Sequence, residues 1–220
     1  SFEAIDTPLI EYVASTKKPM IISTGLANEE EIQQAIDAAR AGGCEELAIL
    51  HCVSGYPAPS NNYNLKIVSN MIERYGCVTG LSDHTLNNNT AIASIALGGC
   101  IIEKHFTSDR SAGGPDDSFS MEPRDLLHLV NSAKEVFSAL GEVDYGLKSS
   151  EVGNIKFRRS LYFLKDLPEN HVITNEDIRS VRPGYGISPS YFKKIIGKKL
   201  KRAIEKHAPV RFDDFENLEL

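Results

Sequence analysis

Four short apolar runs, each followed by polar residues and then by an amphipathic stretch, constrain this sequence more than any other feature. The runs at 19–22, 46–50, 78–81 and 100–102 have the length of strands and are apolar enough to be buried on both faces. Between them the helical pattern has legible ends. Asn28 is a good N-cap, Glu29, Glu30 and Glu31 fill the first turn, and Ile32, Ala35, Ile36 and Ala39 share one face before Gly42 and Gly43. Leu65, Val68 and Ile72 repeat the spacing before Gly76. The longest stripe, Leu126, Leu127, Val130, Ala133, Phe137 and Leu140, starts after Pro123 and stops at Gly141. Thr7-Pro8 opens a shorter helix. Strand followed by helix, four times over, predicts parallel strands with helical crossovers. Ser1-Phe2-Glu3 reads as the end of a further strand, and four units are half of an eightfold barrel. The expected fold is therefore α/β, the second half of a (β/α)8 TIM barrel, with an open four-stranded sheet as the alternative.

Near Glu151 the pattern changes. Short apolar pieces at 160–164, 172–173 and 178 are split by Pro168, Asn170, Pro183, Gly184, Gly186 and Pro189. A helical stretch at 191–196 and an extended piece at 208–210 complete a small, turn-rich domain. The linker is placed near 144–154, giving domains at 1–147 and 154–220. Charge divides the same way. Residues 1–153 carry 10 Lys and Arg against 21 Asp and Glu, a net of −11, whereas residues 154–220 carry 14 against 9, a net of +5. An acidic and a basic unit attract, within one chain or across a dimer; two solvated surfaces that never meet are the alternative. The apolar run 92–97 is far too short to span a bilayer, and no export leader is expected. The four cysteines form no C-x-x-C pair, so a reducing cytoplasm is expected.

In parallel α/β folds the site lies at the carboxyl ends of the strands. The apolar runs here are followed by Ser23-Thr24-Gly25, by His51-Cys52 with Ser54-Gly55-Tyr56-Pro57, by Ser82-Asp83-His84-Thr85, and by Glu103-Lys104-His105-Phe106. His84 and His105 are one strand–helix repeat apart, so they should sit level on neighbouring strands. Two imidazoles suit a divalent metal such as Mn²⁺ or Zn²⁺; two histidines that merely hydrogen-bond in a barrel mouth are the alternative. His51 is a candidate third ligand or a satisfied core histidine. Lys104 should point away from His105, toward a barrel-to-helix salt bridge rather than a phosphate. Ser1, Ser23 and Ser82 could offer hydroxyls to a phosphate or serve as turn residues. Asp116, after Gly113-Gly114-Pro115, could bind a sugar hydroxyl or cap its turn.

Residues 22–25 (ISTG), 56–59 (YPAP), 82–85 (SDHT), 102–106 (IEKHF) and 114–116 (GPD), in this order, resemble the sialic acid synthase family. Arg182-Pro183-Gly184 with Gly186-Ile187-Ser188 resembles that family's antifreeze-like domain, a small β-rich SAF or β-clip module. Residues 113–123 (GGPDDSFSMEP), 139–147 (ALGEVDYGL), 157–162 (FRRSLY) and 182–186 (RPGYG) look most like its pseudaminic acid branch. Ser54 stands where N-acetylneuraminate and legionaminate synthases often carry Asn. The resemblance implies a cytoplasmic transferase that condenses phosphoenolpyruvate with an acetamido sugar. It implies a divalent metal on His84 and His105, Mn²⁺ first and Mg²⁺ or Co²⁺ as alternatives. Ser1, Ser23 and Ser82 would surround phosphoenolpyruvate, and Glu3, Tyr56 and Asp116 the sugar and the metal's water. Arg182 would enter the partner's barrel in a domain-swapped homodimer. The family's first half-barrel has no counterpart in these residues, so the chain by itself is expected to be inactive. The alternatives are N-acetylneuraminate or legionaminate synthesis, or a non-catalytic remnant. The cluster Lys193, Lys194, Lys198, Lys199, Lys201 and Arg202 lacks interleaved aromatics and is read as a solvated or docking face rather than a nucleic-acid or ice site.

Overall fold

The apolar runs of the first unit become four strands of one parallel sheet, β1 (Met20–Ser23), β2 (Leu47–Cys52), β3 (Val78–Asp83) and β4 (Ile102–Lys104), in that spatial order. Helices α2 (Glu29–Ala41), α3 (Lys66–Tyr75) and α4 (Asn89–Ala96) are the crossovers; α1 (Thr7–Ala14) precedes β1 and α5 (Pro123–Leu140) follows β4. Consecutive strands as neighbours, each joined by a helix, are half of a (β/α)8 barrel. The computed structural model describes residues 1–216, and the chain divides into Ser1–Glu142 and Val143–Leu220. The last four residues of the predicted second domain lie outside the described residues.

The elements form where local chemistry favours them. Asn28 Oδ1 accepts from the Glu30 and Glu31 amides at 2.9 and 3.0 Å, and Glu31 returns a carboxylate oxygen to the Asn28 amide at 2.8 Å. That reciprocal pair fixes the start of α2. Leu47 and Ile49 of β2 pack with Ile22 against Ile10, Ala14, Ala35 and Ile36, on the helix side of the sheet. By alternation Ala48, Leu50 and Cys52 face the other way, into the barrel. Gly80 permits the close approach of β3 and β4: a Cβ there would lie 2.2 Å from the Ile101 carbonyl oxygen.

Four expectations change. Residues Phe2–Ile5 form a 3₁₀ turn rather than a strand end, because Ala4 and Asp6 donate back to the Ser1 and Glu3 carbonyls. Strand β4 runs from Ile102 to Lys104 rather than from Cys100, although the Cys100 amide already donates to the Thr79 carbonyl of β3. Burial on both faces holds for β2 but not for β1 and β4, which have one strand neighbour each in the described sheet and leave Ile21 57% exposed. In α5 only Leu129 is buried, while Leu127, Phe137 and Leu140 are exposed, since α4 covers one side of that helix.

In the second unit β5 (Ser160–Phe163) pairs antiparallel with β6 (Ile178–Val181), α6 (Phe192–Ile195) follows, and isolated bridges such as Tyr162–Pro209, Leu167–Ile204 and Val172–Lys199 tie the loops. Leu161, Phe163, Ile173, Ile178, Ile195, Leu200 and Val210 form its core. Two buried carboxylates organise the turns around it. Asp177 accepts from His171 Nε2 (2.9 Å) and from the Thr174 amide and hydroxyl (2.7 and 2.8 Å), with Lys165 Nζ 2.7 Å away. Burial alone would raise its pKa, and these donors outweigh that, holding the carboxyl well below the usual carboxylate range. Asp214 accepts from the Arg202 guanidinium (2.6 Å) and the Arg211 amide (2.7 Å).

Candidate active site

His84 and His105 each follow a strand by one residue, beyond Asp83 and Lys104. Adjacent parallel strands in register bring the two rings to a centroid separation of 5.2 Å. Tyr56, on the loop after β2, lies 4.3 Å from the His84 ring and 5.6 Å from that of His105. Phe119 closes the far side, 5.1 Å from His105. Asp116 Oδ2 stands 3.6 Å from His105 Nδ1. The Asp116 loop is held by Asp117, which accepts from the Gly114 amide at 2.7 Å, and by the Ser120 hydroxyl, which donates to the Asp116 carbonyl at 2.7 Å.

The His84 ring has a defined orientation. Its Nδ1 lies 2.8 Å from the Val53 carbonyl, which can only accept, so Nδ1 carries the proton and Nε2 is left for a ligand. Burial lowers the His84 pKa against the opposing pull of that hydrogen bond, with the nearby His105 lowering it further. A neutral imidazole with Nε2 unprotonated is the metal-binding form. Two facing rings therefore fit two nitrogen donors of a divalent cation whose shell is completed by oxygen from solvent or substrate. Among the described residues no group of three or more His, Cys, Asp and Glu side chains converges as a complete protein shell.

His51 does not join them. It lies within β2 on the helix side, its Nε2 2.5 Å from the Tyr63 carbonyl, and burial pulls its pKa down against that contact. It is the satisfied core histidine of the two readings. Lys104 also points away from the mouth, but its partner is a strand neighbour rather than a helix. Its Nζ meets Asp83 Oδ2 at 3.0 Å and also the Thr85 carbonyl, with side chains 2% and 0% exposed.

The serines gather on the barrel side. Ser1 Oγ and Ser54 Oγ are 2.9 Å apart, and Gly25 lies so close that a Cβ there would sit 2.0 Å from Ser54 Oγ. Ser23 Oγ is buried and has no hydrogen-bond partner among the described residues. Ser82 donates to Glu103 Oε1 at 2.8 Å. Glu3 is solvent-facing, its side chain 70% exposed. Reading the sequence placed Glu103 at a strand end without a role and missed Phe119. Ser82, Asp83 and His84 stand 21 positions before Glu103, Lys104 and His105, so the offset that pairs the histidines also points to Glu103.

Arg182 belongs to the second unit, on a turn that follows β6. Ser160 Oγ donates to the Pro183 carbonyl (2.8 Å) and accepts from the Gly186 amide (2.9 Å), and a Cβ on Gly186 would meet the Leu161 carbonyl oxygen at 2.4 Å. The turn is thus braced without Arg182, which is exposed and makes no hydrogen bond or ion pair within its unit among the described residues.

These features define a (β/α)-barrel protein with a polar, histidine-bearing site at the carboxyl ends of its strands. Residues 1–145 match the NeuB family and residues 158–216 the SAF domain, and the chain belongs to the NeuB family, the sialic acid synthases. It is 35% identical over 217 residues to "Pseudaminic acid synthase" of Helicobacter pylori, covering 98% of this chain and 64% of that protein. It is 36% identical over 205 residues to "N,N'-diacetyllegionaminic acid synthase" of Legionella pneumophila, covering 91% and 58%. The crystal structure of spore coat polysaccharide biosynthesis protein SpsE of Bacillus subtilis superimposes with a TM-score of 0.61 at 28% identity, covering 100% of this chain and 67% of that one. The chain spans less than two thirds of the length of the two synthases. No helix among the described residues is long and apolar enough to cross a membrane.

Proposed function

We propose that this chain carries the histidine-bearing half of the active site of a pseudaminic acid synthase. The proposed reaction joins phosphoenolpyruvate to the open-chain form of a 2,4-diacetamido-2,4,6-trideoxy hexose, releasing phosphate. The observation that carries the reading is the facing pair His84 and His105 at adjacent strand ends, beside a serine cluster with an unspent hydroxyl on Ser23. Carbon 3 of phosphoenolpyruvate bonds to the aldehyde carbon, water adds at carbon 2, and the carbon–oxygen bond to phosphate breaks. His84 and His105 would hold a divalent cation, Mn²⁺ first; when bound, it supplies a Lewis acid for the aldehyde oxygen.

The chain's own groups account for binding and orientation. Ser1, Ser23, Ser54 and Ser82 offer hydroxyl donors to the anionic substrate, and Gly25 keeps the backbone low enough for it to approach. Tyr56 and Phe119 wall the histidines with apolar faces that exclude water from one side. Asp116 and Glu3 are carboxylates for sugar hydroxyls and for positioning water. Arg182, unspent on its own turn, is proposed to reach the sugar's acetamido group in the partner of a cytoplasmic homodimer, where a guanidinium presents fixed donors.

A panel assay tests the assignment. The natural protein that carries this chain is given phosphoenolpyruvate, Mn²⁺ and three acetamido sugars, and products are weighed by mass spectrometry. Pseudaminic acid as the preferred product supports the proposal. The 36% identity to the Legionella enzyme makes legionaminic acid the competing outcome. No product from any of the three overturns the synthase reading.

A further inference from the structure

The residues between Val53 and Tyr63 close on His84 at three separate atoms. Its ring Nδ1 donates to the Val53 carbonyl at 2.8 Å, its carbonyl accepts from the Ala58 amide at 3.0 Å, and its own amide donates to the Tyr63 hydroxyl at 2.7 Å. Tyr63 is fully buried, packed with Ala58, Val68 and Leu81. Its carbonyl meets His51 Nε2 at 2.5 Å, and the neighbouring Asp83 is paired with Lys104.

We infer that Tyr63 is a positioning residue for His84, its phenol locking the amide of the first residue beyond β3 and so fixing where the imidazole Nε2 points. The inference rests on the reading of His84 as a site imidazole. Asp83, Lys104, His51 and Tyr63 all lie on the helix side of the sheet, so they act on the mouth through His84 and not by touching substrate. A backbone amide held by a rigid aromatic side chain restrains the direction of its side chain more tightly than packing alone, which tolerates rotation about χ1.

The test uses the natural protein with Tyr63→Phe, which keeps the ring and deletes the hydroxyl. Val68→Ala, in the same cluster but without a bond to His84, is the packing control. Histidine ring ¹⁵N spectra of metal-free protein report the His84 tautomer, and Mn²⁺ titration followed by electron paramagnetic resonance reports affinity. Wild type and Val68→Ala should show one Nδ1-protonated tautomer. Tyr63→Phe should show a mixture, with Mn²⁺ bound about 10- to 100-fold more weakly, as for the loss of other groups that orient a ligand. An unchanged His84 spectrum in Tyr63→Phe, or an equal change in Val68→Ala, overturns the inference, as does unaltered Mn²⁺ affinity where wild type binds the ion. If wild type binds no Mn²⁺ yet the His84 spectrum still responds to Tyr63→Phe, the metal assignment fails and the positioning role stands. Should Tyr63→Phe fail to fold, 3-fluorotyrosine at position 63 weakens the phenol as an acceptor at nearly constant shape and must shift the His84 spectrum in the same direction.

Discussion

Removing the charge of Asp83 should be among the most damaging single changes in the first unit. Asp83 and Lys104 are paired at 3.0 Å with side chains 0% and 2% exposed. Breaking a buried pair from one side leaves an uncompensated charge, which costs about 3–5 kcal/mol. Asp83→Asn does that to Lys104, which keeps the Thr85 carbonyl and at most a neutral amide oxygen as acceptors. Lys104→Met is gentler, because Asp83 retains the Thr85 amide at 2.9 Å and hydroxyl at 3.1 Å. Its cost should be about 1.5–3 kcal/mol, the worth of one hydrogen bond to a charged group. The double variant removes both charges together and should fall short of the sum of the singles by about 0.5–3 kcal/mol. Arg74→Ala, which breaks the exposed pair with Glu29, should cost under about 1 kcal/mol. Urea unfolding of the natural protein, followed by circular dichroism with the slope held constant across variants, measures all four. An Asp83→Asn loss no greater than that of Arg74→Ala, or strict additivity in the double variant, would refute the argument that this pair is desolvated and coupled.

Three further outcomes follow from particular contacts. Asp177 has a folded pKa below its unfolded value of about 3.9, so the stability it contributes is full above about pH 4 and is lost as pH falls below that; Asp177→Asn should flatten the acid limb of a stability-against-pH curve, and an unchanged limb would sink the assignment. Gly186→Ala should destabilise by about 1–3 kcal/mol, since its Cβ would press on the Leu161 carbonyl, whereas Gly153→Ala, with nothing within 4 Å, should stay within about 0.5 kcal/mol in thermal unfolding. Arg182→Ala should raise KM for the sugar about tenfold or more, as for a lost hydrogen bond to a charged group, and leave KM for phosphoenolpyruvate nearly unchanged; mixing it with His84→Ala subunits should restore activity toward half, and no recovery after confirmed exchange would mean that Arg182 does not act across a dimer.

Much of this architecture is written in local pattern. Helix α2 starts at Asn28 and α5 stops at Gly141 because caps and glycines act within one turn of chain. The pairing of His84 with His105 was legible because a parallel register converts a 21-residue offset into adjacency. The exposure of Phe137 and Leu140 was not, since an apolar stripe states what a helix can bury and not what lies against it. Strand β4 reads two residues longer in the sequence because Cys100 and Ile101 are as apolar as Ile102. Phe119 and Tyr63 escaped notice for a related reason. Each matters through a loop that folds back across the sequence, and no periodicity marks such a return.

The central claim is that the His84–His105 pair is the reacting centre, and phosphate release measures it most directly. In the natural protein supplied with phosphoenolpyruvate, the acetamido sugar and Mn²⁺, His84→Ala and His105→Ala should each lower turnover at least about 100-fold, the low end for losing several kcal/mol of transition-state stabilisation. Both variants should keep the wild-type circular dichroism spectrum and bind less Mn²⁺. Near-normal phosphate release from either folded variant, after chelation and metal-free dialysis, would contradict the account.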